Sequence, residues 1–213
     1  MFLFTAAAAL LPGPFNAFAQ NDKSSGPILS AASARYKSFS SIKAEFSYTI
    51  ENPKEKTNQK QTGTLSVKGN KYRLAIKGQE IFCDGKTVWT YLEDAKEVQV
   101  NEPGNDPDAL SPANIFTIYE KGFDHMLAEE KNENGKEVQI IDLKPTDAKK
   151  KYFKIRMTFD KKEKLLLSAL IFYKDGSRHT YTISKFTQNE VMPDAFFTFD
   201  KAAHGGVEVI DLR

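Results

Sequence analysis

Catalysis needs histidines, cysteines, carboxylates or activated hydroxyls at short, regular spacings, and this sequence sets none of them out that way. His125, His179 and His204 are widely spaced and lack the i, i+4 or Cys-x-x-Cys partners of a metal site. Each reads as a loop or surface histidine. The Asp and Glu residues fall at turns and on outward strand positions, so no carboxylate pair is nominated for general acid–base work. A Gly-x-Ser-x-Gly elbow, a phosphate-binding glycine loop and a dinucleotide fingerprint are absent. Cys83 sits between Phe82 and Asp84 with no base near it in sequence, which fits a small buried hydrophobe better than a nucleophile. As the only cysteine it excludes an internal disulfide. The expectation is a protein with no catalytic residues, no metal and no cofactor.

What remains is binding through apolar surface. The stretch from Ile81 to Val100 reads as three strands joined by tight turns at Asp84-Gly85 and Glu93-Asp94. It holds the single tryptophan, Trp89, with Val88 and Tyr91 beside it, and so aromatic a sheet face needs an apolar cover. The stripe Phe46, Tyr48, Tyr72, Trp89 and Tyr91 fits an ordinary core and the lining of a pocket equally well, because both use the same residue types.

The elements that position these residues are mostly strands. Pro27 to Lys37 has the spacing of a short amphipathic helix. Ile42, Ala44, Phe46, Tyr48 and Ile50 then alternate with polar residues, as in a half-buried antiparallel strand. Asn52 to Lys60 reads as a loop, after which Leu65, Val67, Tyr72, Leu74 and Ile76 continue the alternation around a Gly69-Asn70 turn. Ser111-Pro112 has the form of a helix start, followed by two short helical pieces carrying Ile115, Phe116, Ile118 and Tyr119, then Phe123, Met126 and Leu127. Strands resume from Val138 to Leu143, Phe153 to Phe159, Leu165 to Tyr173 and Arg178 to Phe186, with a tail of Phe196 to Phe199 and Val207 to Ile210. Roughly eleven strands against three short helical pieces make a twisted sheet that curls, and so few helices leave part of its apolar face open.

Composition bounds the partners. Thirty basic and 28 acidic residues give a net charge of +2 with both signs scattered, which excludes a polyelectrolyte partner such as nucleic acid. The runs Lys149-Lys150-Lys151 and Lys161-Lys162 read as solvated turns, with a docking patch for an acidic surface as the alternative. Met1 to Ala19 is uncharged and apolar and ends in Ala17-Phe18-Ala19, the pattern of a secretory signal peptide cleaved after Ala19. That predicts an exported, periplasmic protein whose single domain is residues 20–213, monomeric and without a lipid-anchor cysteine after the cleavage site.

Asp84-Gly85-Lys86 followed by Trp89 and Tyr91 resembles the DGKxxWxY signature of the outer-membrane lipoprotein carrier family. The resemblance extends over the Ser38 to Phe46 segment, the Gly63 to Lys68 strand, the Ser111 to Tyr119 segment, and the ending Phe197-Thr198-Phe199 with Gly206 to Asp211. It implies a mainly β fold with an α lid (α+β): an incomplete antiparallel β-barrel of about eleven strands closed by short helices over a hydrophobic cavity. It also implies a periplasmic chaperone that takes acylated lipoproteins from an inner-membrane ABC transporter and delivers them to an outer-membrane acceptor. On that reading the acyl chains lie against Phe46, Tyr48, Leu65, Tyr72, Leu74, Trp89, Tyr91, Phe153 and Ile155, under a lid of Ile115, Phe116, Ile118 and Tyr119. One departure stands out. Where the family has Arg-Pro after the Val-Lys strand, with the Arg holding the lid closed, this chain has Gly69-Asn70, so no residue is assigned that role. The alternative is a non-transporting lipid- or lipoprotein-sensing module of the same fold.

Overall fold

The computed structural model describes residues 23–54, 56–104 and 115–213. The leader Met1 to Ala19 and the Ser111-Pro112 helix start lie outside these residues. Among the described residues one α-helix, α1 (Ser25–Lys37), precedes β1 (Ile42–Asn52), β2 (Thr57–Lys68), β3 (Lys71–Ile76), β4 (Gln79–Cys83), β5 (Val88–Leu92) and β6 (Glu97–Asn101). After the 3-10 turn Ile118–Glu120 come β7 (Phe123–Glu133), β8 (Lys136–Pro145), β9 (Tyr152–Asp160), β10 (Leu166–Tyr173), β11 (Arg178–Gln188) and β12 (Glu208–Asp211). All twelve strands form one open sheet in the order β12-β6-β5-β4-β3-β2-β1-β11-β10-β9-β8-β7. The fold is therefore mainly β, an incomplete barrel whose two ends do not meet.

Hairpin turns explain most of this order. At the β4–β5 turn the Asp84 carboxylate accepts the backbone N–H groups of Lys86 and Thr87, both at 2.8 Å, and Gly85 takes the positive φ of 93° that the reversal needs. Two pairings are not hairpins: β1 pairs antiparallel with β11, and β12 pairs in parallel with β6 after the chain has crossed from β11. Along β1 the alternation holds without a break, so Ala44, Phe46 and Tyr48 face one way. Bulges re-aim their neighbours: Glu45 pairs with Lys185 but Phe46 with Ile183, and further irregularities lie between Leu166 and Ser168, between Phe172 and Tyr173 and between Leu127 and Glu129. Each shifts the inward-facing set by one residue.

The larger apolar cluster fills the concave side, where Leu29, Ala32 and Tyr36 of α1 pack on Ile141, Leu143, Met157 and Phe159. A smaller cluster of Phe82, Val98, Phe199 and Val207 lies apart from it. It occupies the opposite sheet face, since Phe82 alternates with Ile81 along β4, and the C-terminal segment covers it.

Three expectations are corrected. Phe123 to Leu127 is not helical but begins β7, in register with Pro145 to Ile141 of β8. Its short apolar run fits period two as well as period 3.6, and an available neighbour strand decided. Phe196 lies in a 3-10 turn, Asp194–Phe197, rather than a strand. Asn52 to Lys60 is mostly ladder, because β1 and β2 pair out to Asn52 and Thr57.

Candidate functional site

The inner sides of β1, β2, β3, β10 and β11 leave an apolar cavity of about 200 Å³. Ala44, Phe46 and Tyr48 of β1 form its floor, with Leu65, Leu74 and Ile76 on one flank and Leu166, Tyr181 and Ile183 on the other. Gly63 makes the floor possible. It stands opposite Phe46 in the ladder, and a Cβ there would meet Phe46 Cζ at 2.9 Å, Ile76 Cγ2 at 2.7 Å and the Ala75 carbonyl oxygen at 2.6 Å. The missing side chain is the space in which the Phe46 ring lies. Tyr48 and Tyr181 pair across β1 and β11 and stack with centroids 4.6 Å apart.

Residues 115–120 close one end. Ile115 and Phe116 line the cavity, and Phe116, 4% exposed, stacks on Tyr36 at 4.9 Å and meets Phe186 edge-on at 6.1 Å. Tyr119 packs edge-on against Phe159. The segment is tied to α1 by Glu120, which accepts from the Ser33 hydroxyl and pairs with Lys37 at 2.7 Å. Those two hydrogen bonds hold its carboxyl below the usual carboxylate range. Tyr36 is fixed in turn, its hydroxyl accepting the Leu166 N–H at 2.6 Å, and burial pushes its phenol well above the ordinary value. Among the described residues this segment is a turn and a 3-10 turn, with Phe116 as its plug and Glu120 as its tie to α1.

No group of three His, Cys, Asp or Glu among the described residues could hold a metal ion. Nor is any helix among them long and apolar enough to cross a membrane. Cys83 is buried with its sulfur accepting the Gly85 N–H, and burial pushes the thiol up. The apolar lining of the cavity suits an apolar ligand.

The sequence matches the family of the outer membrane lipoprotein carrier protein LolA over residues 37–200, well over half of the chain. The chain belongs to the LolA family. No curated protein matches it. Among solved structures, an uncharacterized conserved protein from Thermus thermophilus superposes with a TM-score of 0.59 at 11% identity, covering 89% of this chain and 99% of that one. Lipoprotein LppX of Mycobacterium tuberculosis gives 0.48 at 13% identity over 79% and 98% of the two chains. A LolA superfamily protein from Nitrosomonas europaea gives 0.45 at 13% over 81% and 96%. The likeness to the Thermus structure is one of fold.

Within this LolA-family fold, Phe46, Tyr48, Leu65, Leu74, Ile115 and Phe116 do line the cavity. Tyr72 and Ile155 are buried in the main core outside it, and Ile118 and Tyr119 pack on that core behind the plug. Three expected lining residues face elsewhere. Trp89 and Tyr91 pack on the second cluster, with Tyr91 5.7 Å from Phe199, because β5 turns Val88 rather than Trp89 inward. Phe153 is 51% exposed and meets Phe172, since an irregularity between Phe172 and Tyr173 leaves it outside the alternation of β9. Arg73 also faces the second cluster side, clamped by Glu80 between the rings of Phe82 at 4.6 Å and Phe196 at 4.8 Å. The sequence reading missed Ile76, Leu166, Tyr181 and Ile183. Tyr181 and Ile183 do alternate, but the bulge beyond them puts Phe186 on the same side and hides the period.

Proposed function

We propose that this LolA-family protein carries the acyl chains of lipoproteins across the periplasm, taking them from an inner-membrane ABC transporter and delivering them to an outer-membrane acceptor. The supporting observation is the apolar cavity under a plug of its own chain. Room of about 200 Å³ is more than the roughly 150 Å³ that admits one benzene, yet too little for whole acyl chains. Loading therefore requires Phe116 to leave. That requirement suits a carrier. About 0.8 kcal/mol per buried methylene would hold a chain of about fifteen methylenes by on the order of 12 kcal/mol, too tightly to hand on. Expelling the plug into water offsets part of that gain, so transfer needs no energy source in the carrier itself. The protein is exported through the leader ending at Ala19 and works as one domain, residues 20–213.

The test is release of lipoproteins from spheroplasts by added protein. Leu74→Glu places a charge in the half-buried cavity wall and should abolish release. Undiminished release by folded Leu74→Glu protein would count against the proposal.

A further inference from the structure

The cavity changes character along β1 and β11. At one end the Phe116 plug lies against Phe186, which pairs with Ala44. Tyr48 lies four residues further along β1, about 13 Å at about 3.3 Å per residue, and there the lining carries polar groups. The Tyr181 ring stacks on that of Tyr48 at 4.6 Å, and the Tyr48 hydroxyl meets His179 Nδ1 at 2.9 Å. The Tyr173 ring lies 4.3 Å from the imidazole and completes the cluster.

Proton counting shows what this chain of groups offers. Two phenols and a neutral imidazole hold three donatable protons, and the Tyr48–His179 hydrogen bond uses one. The Tyr181 O–H is left to donate outward, whichever ring nitrogen of His179 carries the proton. Burial depresses the His179 pKa, which favours the neutral ring. Hydrocarbon cannot accept the Tyr181 proton, whereas an ester carbonyl oxygen can.

We propose that Tyr48, Tyr181 and His179 form a subsite for the ester carbonyls of an acylglycerol group, so that acyl chains enter tail-first toward Phe116 and their ester linkages rest on the phenols. Amphipathic aromatic rings take the same position at membrane interfaces, with the ring against hydrocarbon and the polar tip at the level of the head group. The proposal rests on the acyl-carrier reading and adds orientation and a preference among lipids to it.

The experiment measures displacement of a fluorescent fatty-acid analogue by three probes of matched chain length: a diacylglycerol, its ether-linked dialkylglycerol counterpart, and the free fatty acid. One good hydrogen bond predicts that the ester displaces the probe about tenfold more effectively than the ether. Tyr48→Phe and Tyr181→Phe keep the stacked rings and should each erode that ratio, the ester losing more affinity than the ether. Equal affinity for ester and ether, or an equal loss for both in the variants, overturns the subsite. So does a preference for the free acid, which would make this a carboxylate site. If none of the three probes binds, the acyl-carrier reading itself fails.

Discussion

Phe116→Ala separates the plug from the rest of the fold. The Phe116 ring is buried between Tyr36 at 4.9 Å and Phe186 at 6.1 Å. Truncating a buried Phe costs about 3–5 kcal/mol, and here the hole merges with an existing cavity, so about 3 kcal/mol is expected. The same hole is room for ligand. In the native protein an incoming chain must drive the ring off its apolar seat at a cost on the order of 2 kcal/mol. Removing that competition should tighten binding of an apolar probe by about 30-fold. Urea unfolding monitored by circular dichroism reads the first quantity, and titration with a fluorescent fatty-acid analogue reads the second. A less stable protein that binds more tightly is the predicted signature. Folded Phe116→Ala protein with unchanged or weaker probe affinity would refute competition between ring and ligand.

Gly63→Ala would crowd the Ala75 carbonyl oxygen, Ile76 and the Phe46 ring of the cavity wall, so it should cost about 1–3 kcal/mol in stability and weaken probe binding, both read by the same two assays. Arg73→Ala strips a cation from between Phe82 and Phe196 and leaves Glu80 without its partner; it should lower the unfolding midpoint and leave probe affinity unchanged. Burial, then Cys83, pushes the Tyr72 phenol up to about 12 from an ordinary value of 10.0. The folded state therefore keeps this proton longer than the unfolded chain does, and the stabilisation is whole below pH 10 and lost between about pH 10 and 12. The loss is on the order of 2–3 kcal/mol. Unfolding curves at pH 9 and about 11.5 should show it, and Tyr72→Phe should remove that part of the pH dependence.

The strands nearest the cavity were legible because one clean period governs them: from Ile42 to Ile50 each inward residue is apolar and each outward one polar. Leu65 and Leu74 followed by the same rule once the Gly69-Asn70 turn fixed the hairpin. Trp89 and Tyr91 were misplaced for a physical reason. β4 and β5 carry apolar residues on both faces, and which face is concave depends on where Phe199 and Val207 dock, long after the strands in sequence. Local alternation carries no record of that docking. β7 was lost because five residues fit two periods, and Tyr181 because a bulge near Ser184 interrupts one.

The face assignment also supplies the most direct test of where cargo lies. Trp89 belongs to the cluster on the far side of the sheet, whereas Phe46 and Tyr181 line the cavity. Bromine on an acyl chain quenches tryptophan only on near contact, so a lipopeptide with brominated acyl chains can be titrated into the native protein and into a Phe46→Trp, Trp89→Phe variant. Strong, saturable quenching in the variant with Trp89 emission unaffected in the native protein is the predicted result. Quenching of Trp89 with none at position 46 would contradict the concave cavity as the acyl-chain site.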